Sequence, residues 1–391
     1  MKTKLLFVIS KMNLGGTEKA LLSLLDSLKN NKNIEITLLL LQEGGQLFHE
    51  IPNWVNVEIF KEFEFIKPVI FDPPLRLIKN DLRSFNFFDA YKNTIRYLKV
   101  KMTGYWHLNY KEGLKRVLRT YNADVAIAFA GPDNFITYFI ATKVIAKRKI
   151  QWIHFDVREV INNRNFGNKY YKYFDNIYCV SENAKLVFDE MFPKYSMKTK
   201  VFKNIVSKKE LENLASKGDS FSDDFDGVKI LTLGRLSKEK GQLLIPNIVH
   251  KLKSENLKFR WYLIGDGNLN GELKLRIEEL GIADSLILLG GKVNPYRFLQ
   301  DCDIYVQTSF HEGYCLTIHE AKIFNKPVVT TNVVSASNLI VDNKDGLIVE
   351  ISEEGVYKGV KTLLTNNELR LLFGRNLLCE ETVSEIEKFD L

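Results

Sequence analysis

Two glutamates, Glu312 and Glu320, lie on either side of an apolar stretch, and carboxylates can accept hydrogen bonds from sugar hydroxyls. The stretch DCDIYVQTSFHEGYCLTIHEAKIF predicts a strand, a loop and a helix that begins near Cys315. Glu312 then belongs to the loop and Glu320 to the helix. The amides at the helix N-terminus, where anionic oxygens bind well, are those of Tyr314, Cys315, Leu316 and Thr317.

A carboxylate in the loop suits the hydroxyls of a sugar. A carboxylate in the helix suits the two hydroxyls of a ribose, as acidic residues do in dinucleotide-binding folds. Sugar, diphosphate and ribose, in that order, describe a nucleotide sugar.

A second loop with charged residues follows the predicted strand in VKILTLGRLSKEKG, where Gly234 and Arg235 precede Lys240 and Gly241. A guanidinium binds two phosphate oxygens at once and an ammonium supplies a point charge, so the pair suits a diphosphate. The alternative is a loop whose charged side chains only face water.

Two adjacent glycines, Gly15 and Gly16, stand between the first predicted strand and a leucine-rich helix. Glycine at such a turn lets the backbone approach a ligand closely, although a tight turn without a ligand has the same sequence. The spacing matches neither the dinucleotide fingerprint nor a P-loop.

The chain alternates buried-strand patterns with helical patterns twice, which predicts an α/β fold of two Rossmann-like, doubly wound parallel-sheet domains that face a central cleft. The predicted strands are KLLFVIS, IEITLLLL, DVAIAFA, KIQWIHF and NIYCVS, then VKILTLG, FRWYLIG, SLILLG, DIYVQTS and KPVVTT. The polar segment 207–227 is the predicted boundary, between domains at 1–205 and 206–391.

The net charge of +7 is concentrated between Arg76 and Thr120, which contain eleven Lys or Arg against three Asp or Glu. Within this basic segment, apolar residues recur at helical spacing: Phe88, Tyr91, Ile95, Leu98 and Met102. The pattern fits an ordinary domain helix with a solvated basic face, and equally a helix that lies on an anionic membrane. Nothing resembling a nucleic-acid-binding motif accompanies the charge.

The four isolated cysteines argue against a disulfide framework or a zinc site, and favour a reducing cytoplasm. No stretch is long and apolar enough to cross a bilayer, and the N-terminus is a poor match to a signal peptide.

Two Asp-x-Asp pairs, at 224–226 and 301–303, resemble cation sites. Because the first lies in the predicted boundary and the second precedes a strand, we interpret both as incidental and expect no metal.

Taken in order and spacing, these residues resemble the retaining family 4 glycosyltransferases, group 1 glycosyl transferases of the GT-B fold. The resemblance starts from the E-x7-E signature at Glu312 and Glu320, and from Lys326-Pro327. It extends over most of the chain, through Gly15-Gly16, Gly234-Arg235, Lys240-Gly241 and three further stretches: CVSENAK, LIGDG and LLGGKVN. The GYCL turn resembles capsule and surface-polysaccharide members.

The resemblance implies a role for each site residue. Arg235 and Lys240 would neutralise the donor diphosphate, Glu312 would hold hydroxyls of the donor sugar, and Glu320 would hold the ribose. Further contacts to the donor would come from Lys292 and Val293 at the base, from Gly15 and Gly16 at the phosphates, and from His154 near the sugar 6-hydroxyl.

The activity that the resemblance implies is transfer of a hexose from a nucleotide sugar, with a UDP-sugar favoured, to a lipid-linked or surface-glycan acceptor. The second domain would bind the donor and the first the acceptor. The enzyme would need neither a tightly bound cofactor nor a metal, and would be cytoplasmic, with peripheral contact to the inner face of the membrane through 76–120. Two alternatives remain: a nucleotide-sugar epimerase of the same fold, and a non-catalytic GT-B subunit that binds a partner transferase.

The sequence departs from the family pattern after the glutamates, where Lys322 to Asn325 replace a run of small residues. Asparagine adopts the left-handed conformation that glycine usually supplies at a helix end. We therefore expect Asn325 to end the helix in the same way.

Overall fold

A computed structural model describes residues 2–132, 134–160, 164–377 and 383–389 of the chain. The first half contains a seven-stranded parallel sheet. Its strands are β1 (Thr3–Ile9), β2 (Ile34–Leu40), β3 (Asn56–Ile59), β4 (Tyr121–Ala128), β5 (Val144–Ile153), β6 (Asn176–Cys179) and β7 (Thr199–Val201). They lie in the order β3-β2-β1-β4-β5-β6-β7. The strands β2 and β3 are therefore added on one side of β1, and β4 to β7 on the other side.

Helices connect and cover these strands. They are α1 (Gly16–Leu28), α2 (Phe63–Phe71), α3 (Pro74–Arg83), α4 (Phe87–Thr103), α5 (His107–Leu114), α6 (Asn134–Lys143), α7 (Val157–Val160), α8 (Arg164–Tyr170) and α9 (Glu182–Met191). The central strand β1 has five consecutive buried residues, as expected for a parallel strand covered on both faces.

The second half contains a six-stranded parallel sheet. Its strands are β8 (Val228–Leu233), β9 (Phe259–Ile264), β10 (Leu286–Leu288), β11 (Ile304–Gln307), β12 (Val328–Thr331) and β13 (Gly346–Val349). The order β10-β9-β8-β11-β12-β13 repeats the topology of the first sheet. The predicted fold class, two Rossmann-like parallel sheets, is therefore confirmed.

The helices of the second half are α10 (Lys208–Lys217), α11 (Ile245–Ser254), α12 (Asn270–Glu279), α13 (Tyr296–Asp301), α14 (Leu316–Ile323), α15 (Glu353–Thr365) and α16 (Asn367–Asn376). Two of them begin at serine caps: the Oγ of Ser207 accepts from the Glu210 amide, and that of Ser352 from the Gly355 amide. The polar segment 207–227 thus contains the helix α10, whose Leu211 and Ala215 are buried.

The chain forms two compact units. The first comprises the described residues of Met1–Asn13, Leu28–Phe202 and Phe389–Leu391, and the second those of Leu14–Ser27 and Lys203–Lys388. Helix α1 therefore belongs to the second unit although β1 belongs to the first. Phe389 packs in the first unit, beside the rings of Phe7, Trp152 and Phe202.

Each unit has its own hydrophobic core. In the first, aromatic and aliphatic side chains from α2, α5, α6 and α9 pack on the sheet, among them Phe63, Phe135 and Phe139. In the second, one cluster contains Trp261 and Ile304, and the cluster on the other face contains Tyr262 and Tyr305. Each sheet face is thus covered by apolar side chains, which leaves the strand ends as the place for polar groups.

The described cysteines, Cys179, Cys302 and Cys315, are free and buried, and Cys379 lies outside the described residues. No helix among the described residues has the length and hydropathy needed to cross a bilayer.

Candidate functional site

The strand order of the second sheet places two loops side by side. Strand β8 has β9 on one side and β11 on the other, so the loops that follow β8 and β11 leave the sheet at its switch point. In open parallel sheets ligands bind at the carboxyl ends of the strands at such a point. The two loops are the ones predicted to bind the diphosphate and the sugar, 234–241 and 308–315.

Hydrogen bonds to the backbone connect these two loops. The Phe310 amide donates to the Glu239 carbonyl at 2.8 Å, and the Thr308 hydroxyl donates to the Lys240 carbonyl at 2.9 Å. Gly241 has φ of 67°, and a Cβ there would lie 2.0 Å from the Thr308 carbonyl oxygen. Only glycine fits this close approach, which fixes Lys240 against the second loop.

Lys240 and Glu312 form an ion pair, with 2.7 Å between Nζ and Oε1. The same Oε1 accepts from the Ser309 hydroxyl at 2.6 Å and from Gln307 Nε2 at 3.2 Å. Both charged side chains are largely buried. The structure thus brings together the predicted diphosphate cation and the predicted sugar carboxylate.

Gln307, the last residue of β11, connects this ion pair to α14. Its Oε1 accepts from the Thr317 hydroxyl at 2.8 Å, while its Nε2 donates to Glu312 and lies 3.5 Å from Cys315 Sγ. Gln307 and Ser309 were missed by the sequence analysis. Their signal was the polar run Gln-Thr-Ser at the carboxyl end of a buried strand.

The N-terminus of α14 is tightly specified. Its cap, Cys315, has left-handed φ and ψ of 55° and 49°, which is uncommon for a residue with a side chain. The first intrahelical bonds run from the Ile318 and His319 amides to the Cys315 carbonyl. The amides of Leu316 and Thr317 precede them, so both point out of the helix end, as an anion site requires.

The C-terminus of α14 is a Schellman motif. Asn325 has φ of 55°, its amide donates to the Lys322 carbonyl at 3.0 Å, and the Lys326 amide donates to the Ala321 carbonyl at 3.0 Å. The predicted left-handed conformation of Asn325 is confirmed. Both ends of this short helix are therefore fixed, and with them the position of Glu320.

Glu320 is only 2% exposed. Its Oε1 accepts from the Tyr296 hydroxyl at 3.0 Å, and its Oε2 has no hydrogen-bond partner among the described residues. Burial raises the pKa of the Glu320 carboxyl, against the charge of Lys19 and the hydrogen bond from Tyr296, which lower it. Neither Tyr296 nor Lys19 was predicted as a site residue.

Three other predicted residues or pairs lie in the second unit but outside the Lys240–Glu312 contact. Arg235 is exposed, and its Nη2 lies 2.7 Å from Glu239 Oε1. Gly16 begins α1, and a Cβ there would meet no described atom within 4 Å. Lys292 and Val293 lie in the loop that follows β10, where Val293 is exposed.

His154 lies in the first unit, directly after β5, and is buried. Its ring packs 4.7 Å from that of Phe129 and stacks on Trp152. Burial lowers the pKa of the imidazole to about 3, although a hydrogen bond with the Phe129 backbone raises it. Nε2 has no partner among the described residues, so a neutral ring nitrogen is left for another group.

The acidic pairs that resemble cation sites are engaged in structural contacts. Asp226 pairs with Lys258, Asp301 binds Ser220 and Arg297, and Asp303 accepts from the Lys229 amide. Over the described ranges, no cluster of three or more His, Cys, Asp or Glu is placed to hold a metal ion.

The second unit is similar to known proteins in both sequence and fold. A family model described as glycosyl transferases group 1 matches residues 221–377. A solved structure of Anabaena HepE in complex with UDP and glucose aligns with a TM-score of 0.69 at 15% identity, over 99% of this chain and 98% of that chain. At this identity the likeness concerns the fold alone.

Two curated relatives come from Campylobacter jejuni subsp. jejuni serotype O:2. An N-acetylgalactosamine-N,N'-diacetylbacillosaminyl-diphospho-undecaprenol 4-alpha-N-acetylgalactosaminyltransferase is 30% identical over 193 residues, 48% of this chain and 51% of that protein. A GalNAc-alpha-(1->4)-GalNAc-alpha-(1->3)-diNAcBac-PP-undecaprenol alpha-1,4-N-acetyl-D-galactosaminyltransferase is 22% identical over 370 residues, 93% and 89% of the two chains.

The chain thus spans about half the length of the first of these relatives and most of the second. The family-model match lies within the second unit, where it includes both loops of the switch point, α14 and the two glutamates. The second unit is therefore similar to the glycosyl transferases of group 1 over residues 221–377.

Proposed function

We propose that the protein is a retaining glycosyltransferase that moves a hexose from a UDP-sugar to a lipid-linked or surface-glycan acceptor. The observation that carries the proposal is Glu320. A carboxylate this deeply buried, with one oxygen lacking a partner among the described residues, is costly unless a ligand supplies a donor. The hydroxyls of a ribose are such donors.

The neighbouring groups support the rest of a nucleotide sugar. Lys240 and the amides of Leu316 and Thr317 suit the diphosphate, and Glu312, held by Gln307 and Ser309, suits sugar hydroxyls. Arg235 follows β8 at the same edge of the sheet, and its exposed side chain would reach a phosphate by exchanging its ion pair with Glu239. The position of Gly16 is open, because no described atom lies within 4 Å of a Cβ placed there, so a ligand has room to approach.

The relatives support the choice of donor and acceptor classes. The names of both Campylobacter proteins include diphospho-undecaprenol or PP-undecaprenol, and the HepE complex contains UDP and glucose. For this chain we infer a UDP-linked hexose donor and a lipid-linked or glycan acceptor. The first unit would bind that acceptor, and His154 would contact the donor sugar near its 6-hydroxyl.

The mechanism we infer is a front-face substitution. The acceptor oxygen bonds to the anomeric carbon on the face from which the diphosphate leaves, and the leaving diphosphate takes the acceptor proton. Negative charge grows on that diphosphate in the transition state. Arg235 and Lys240 would stabilise it, a role in which preorganised charges are worth several kcal/mol, about 3 for a single group.

The proposal includes docking of the first unit on an anionic membrane. Four of the five apolar side chains of α4 that recur at helical spacing are exposed, among them Phe88 at 68% and Met102 at 85%, while Ile95 is partly buried. Lys92, Lys99 and Lys101 are exposed on the same helix, and Lys92 Nζ lies 4.0 Å from the centroid of the Phe88 ring. Exposed aromatic and basic side chains on one helix suit the interface of an anionic bilayer.

The test of the proposed function is calorimetry with UDP and with Glu320→Ala. We expect the wild type to bind UDP, and the variant to bind it about tenfold to a hundredfold more weakly, because hydrogen bonds to charged groups contribute about 1.5 to 3 kcal/mol. Glu368→Ala, an exposed glutamate of α16, is the matched control and should bind like the wild type. Equal affinity of wild type and Glu320→Ala contradicts the proposed site.

Turnover separates transfer from the alternatives. Incubation with a UDP-sugar and no acceptor should leave the sugar configuration unchanged, whereas an epimerase would convert it. A non-catalytic subunit would bind UDP without releasing it from a UDP-sugar under any acceptor condition.

A further inference from the structure

Two polar side chains that connect to Glu320 in the second unit, Lys19 and Tyr296, have no role in the function proposed above. Lys19 comes from α1, Tyr296 is the first residue of α13, and Glu320 comes from α14. Lys19 Nζ lies 3.4 Å from the Tyr296 hydroxyl and 4.8 Å from the centroid of its ring. The Tyr296 hydroxyl donates to Glu320 Oε1 at 3.0 Å.

The geometry of these contacts restricts what Glu320 can do. A carboxylate oxygen pair has about four acceptor positions, and the tyrosine occupies one of them on Oε1. Oε2 has no hydrogen-bond partner among the described residues, although Glu320 is almost fully buried. The tyrosine therefore sets which oxygen is left for a ligand.

The electrostatics act in the same direction. Burial raises the pKa of Glu320, and both Lys19 and Tyr296 counteract that rise. Burial lowers the pKa of Lys19, and Glu320 counteracts that fall. Each charge therefore helps to keep the other ionised, and an ionised carboxylate accepts hydrogen bonds more strongly than a neutral one.

We infer that Tyr296 and Lys19 are positioning residues for nucleotide binding, which hold Glu320 ionised and turned so that Oε2 accepts from a ribose hydroxyl. This inference rests on the proposed function. Lys19 lies three residues after Gly16, so one short segment would contribute both the glycine beside the phosphates and the countercharge of the ribose carboxylate.

The test compares two nucleotides on two variants. The affinities of UDP and 2′-deoxy-UDP are measured by calorimetry for wild type, Tyr296→Phe and Lys19→Met. We expect wild type to favour UDP by about tenfold or more, since a site built to bind a hydroxyl rejects the analogue that lacks it. Both variants should reduce this preference to below about threefold while binding 2′-deoxy-UDP nearly as the wild type does.

Matched controls isolate the effect. Tyr195→Phe removes a buried tyrosine hydroxyl in the first unit, where it donates to the Asn168 carbonyl, and Lys29→Met removes an exposed lysine just after α1. Both should keep the wild-type preference. If the melting curve shows that Tyr296→Phe does not fold, the inference is tested with Lys19→Met alone. Lys19 is only partly buried, so its replacement should not prevent folding.

The outcomes separate the inference from the function on which it rests. Unchanged preference in Tyr296→Phe and Lys19→Met, or equal weakening of both nucleotides, overturns the positioning role and leaves the proposed function intact. A wild type that binds both nucleotides equally overturns the ribose contact of Glu320 together with the inference. A wild type that binds neither nucleotide overturns the UDP donor site and the inference with it.

Discussion

Two regions of the molecule depart from the usual pattern of apolar side chains inside and charged side chains outside. One is the switch-point site of the second unit. The other is the helical segment 63–114 of the first unit, which contains α2 to α5. At the switch point, the charged group of Glu320 is buried, and those of Lys240 and Glu312 are partly buried. In segment 63–114, aromatic and aliphatic side chains such as Phe65, Phe88 and Met102 are exposed.

Both arrangements are unfavourable for an isolated chain, for opposite reasons. Buried charges lack solvation, and exposed apolar side chains order water. A polar, hydroxyl-bearing ligand would relieve the first, and an amphiphilic surface would relieve the second. The two regions therefore fit the two partners proposed above, a nucleotide sugar and a membrane, and each proposal can be tested without the other.

The largest effect expected is on the chemistry at the switch point. Arg235→Ala should leave UDP binding measurable and reduce kcat by on the order of a hundredfold or more, because the guanidinium acts mainly on charge that develops in the transition state. Release of UDP from the UDP-sugar, in the presence of acceptor, measures it. Lys238→Ala, an exposed lysine of the same loop, should keep wild-type turnover. A rise in KM with unchanged kcat would assign Arg235 to ground-state binding instead.

The next effect concerns the exposed segment. The double variant Phe88→Ser, Met102→Ser should lower cosedimentation with vesicles containing anionic phosphatidylglycerol by about tenfold or more, since burying such side chains contributes roughly 1.5 to 3 kcal/mol each. Met197→Ser removes a methionine that is 95% exposed outside this segment, and should have no effect. Equal binding of the wild type to neutral and anionic vesicles would mean that the basic residues do not contribute to membrane binding.

A smaller effect should appear in the pH dependence of stability. Because burial raises the pKa of Glu320, the folded state binds this proton more tightly than the unfolded chain. The contribution of Glu320 to the free energy of unfolding is therefore greatest below the ordinary glutamate pKa and falls as pH rises toward the folded-state pKa.

Glu320→Gln lacks this titration. We expect the difference in free energy of unfolding between Glu320→Gln and wild type to move in favour of the variant as pH rises from about 4, the ordinary glutamate range, to neutrality. Urea unfolding at a series of pH values measures it, and Glu368→Gln should give a constant difference. A movement in favour of wild type would mean that Lys19 and Tyr296 outweigh burial.

The smallest effect tests the Schellman motif that ends α14. Asn325→Gly should change the free energy of unfolding by less than about 1 kcal/mol, whereas Asn325→Val should lower it by about 1 to 2 kcal/mol, because a β-branched residue resists positive φ. Thermal melting measures both. Asn213→Val, at an exposed helical position of α10, is the control, and a similar loss there would remove the left-handed conformation as the cause.

The sequence allowed the buried strands and the switch-point loops to be predicted, because both leave local signals. The apolar runs matched β1, β2, β4 to β6 and β8 to β12. The strands β3, β7 and β13 lie at the edges of the sheets, are not buried along their whole length, and were missed. Arg235 and Glu312 were predicted as site residues because they follow the carboxyl ends of strands. The polar residues at the end of β11 satisfy the same criterion and could have been predicted with them.

Other features had no local signal. Lys19 and Tyr296 are separated by 277 positions, and only the folded second unit brings them to Glu320. The helix α4 was predicted, but its period could not tell which face meets the core. The structure buries Ala90 and Val100, and leaves most of the larger apolar residues exposed. The face with small side chains packs closely on the core. The hydrophobic pattern alone would have predicted that the face with the large apolar side chains does so.

The buried cysteines have a practical consequence for labelling. Burial raises the pKa of Cys179 and Cys302 to about 12, and raises that of Cys315 as well, so these thiols present little thiolate to a maleimide at neutral pH. With Cys379 replaced by serine, a cysteine introduced at the exposed Met102 would take a fluorophore selectively. The spectrum of that dye would then report contact of α4 with a bilayer in real time, in a protein whose other thiols need no alteration.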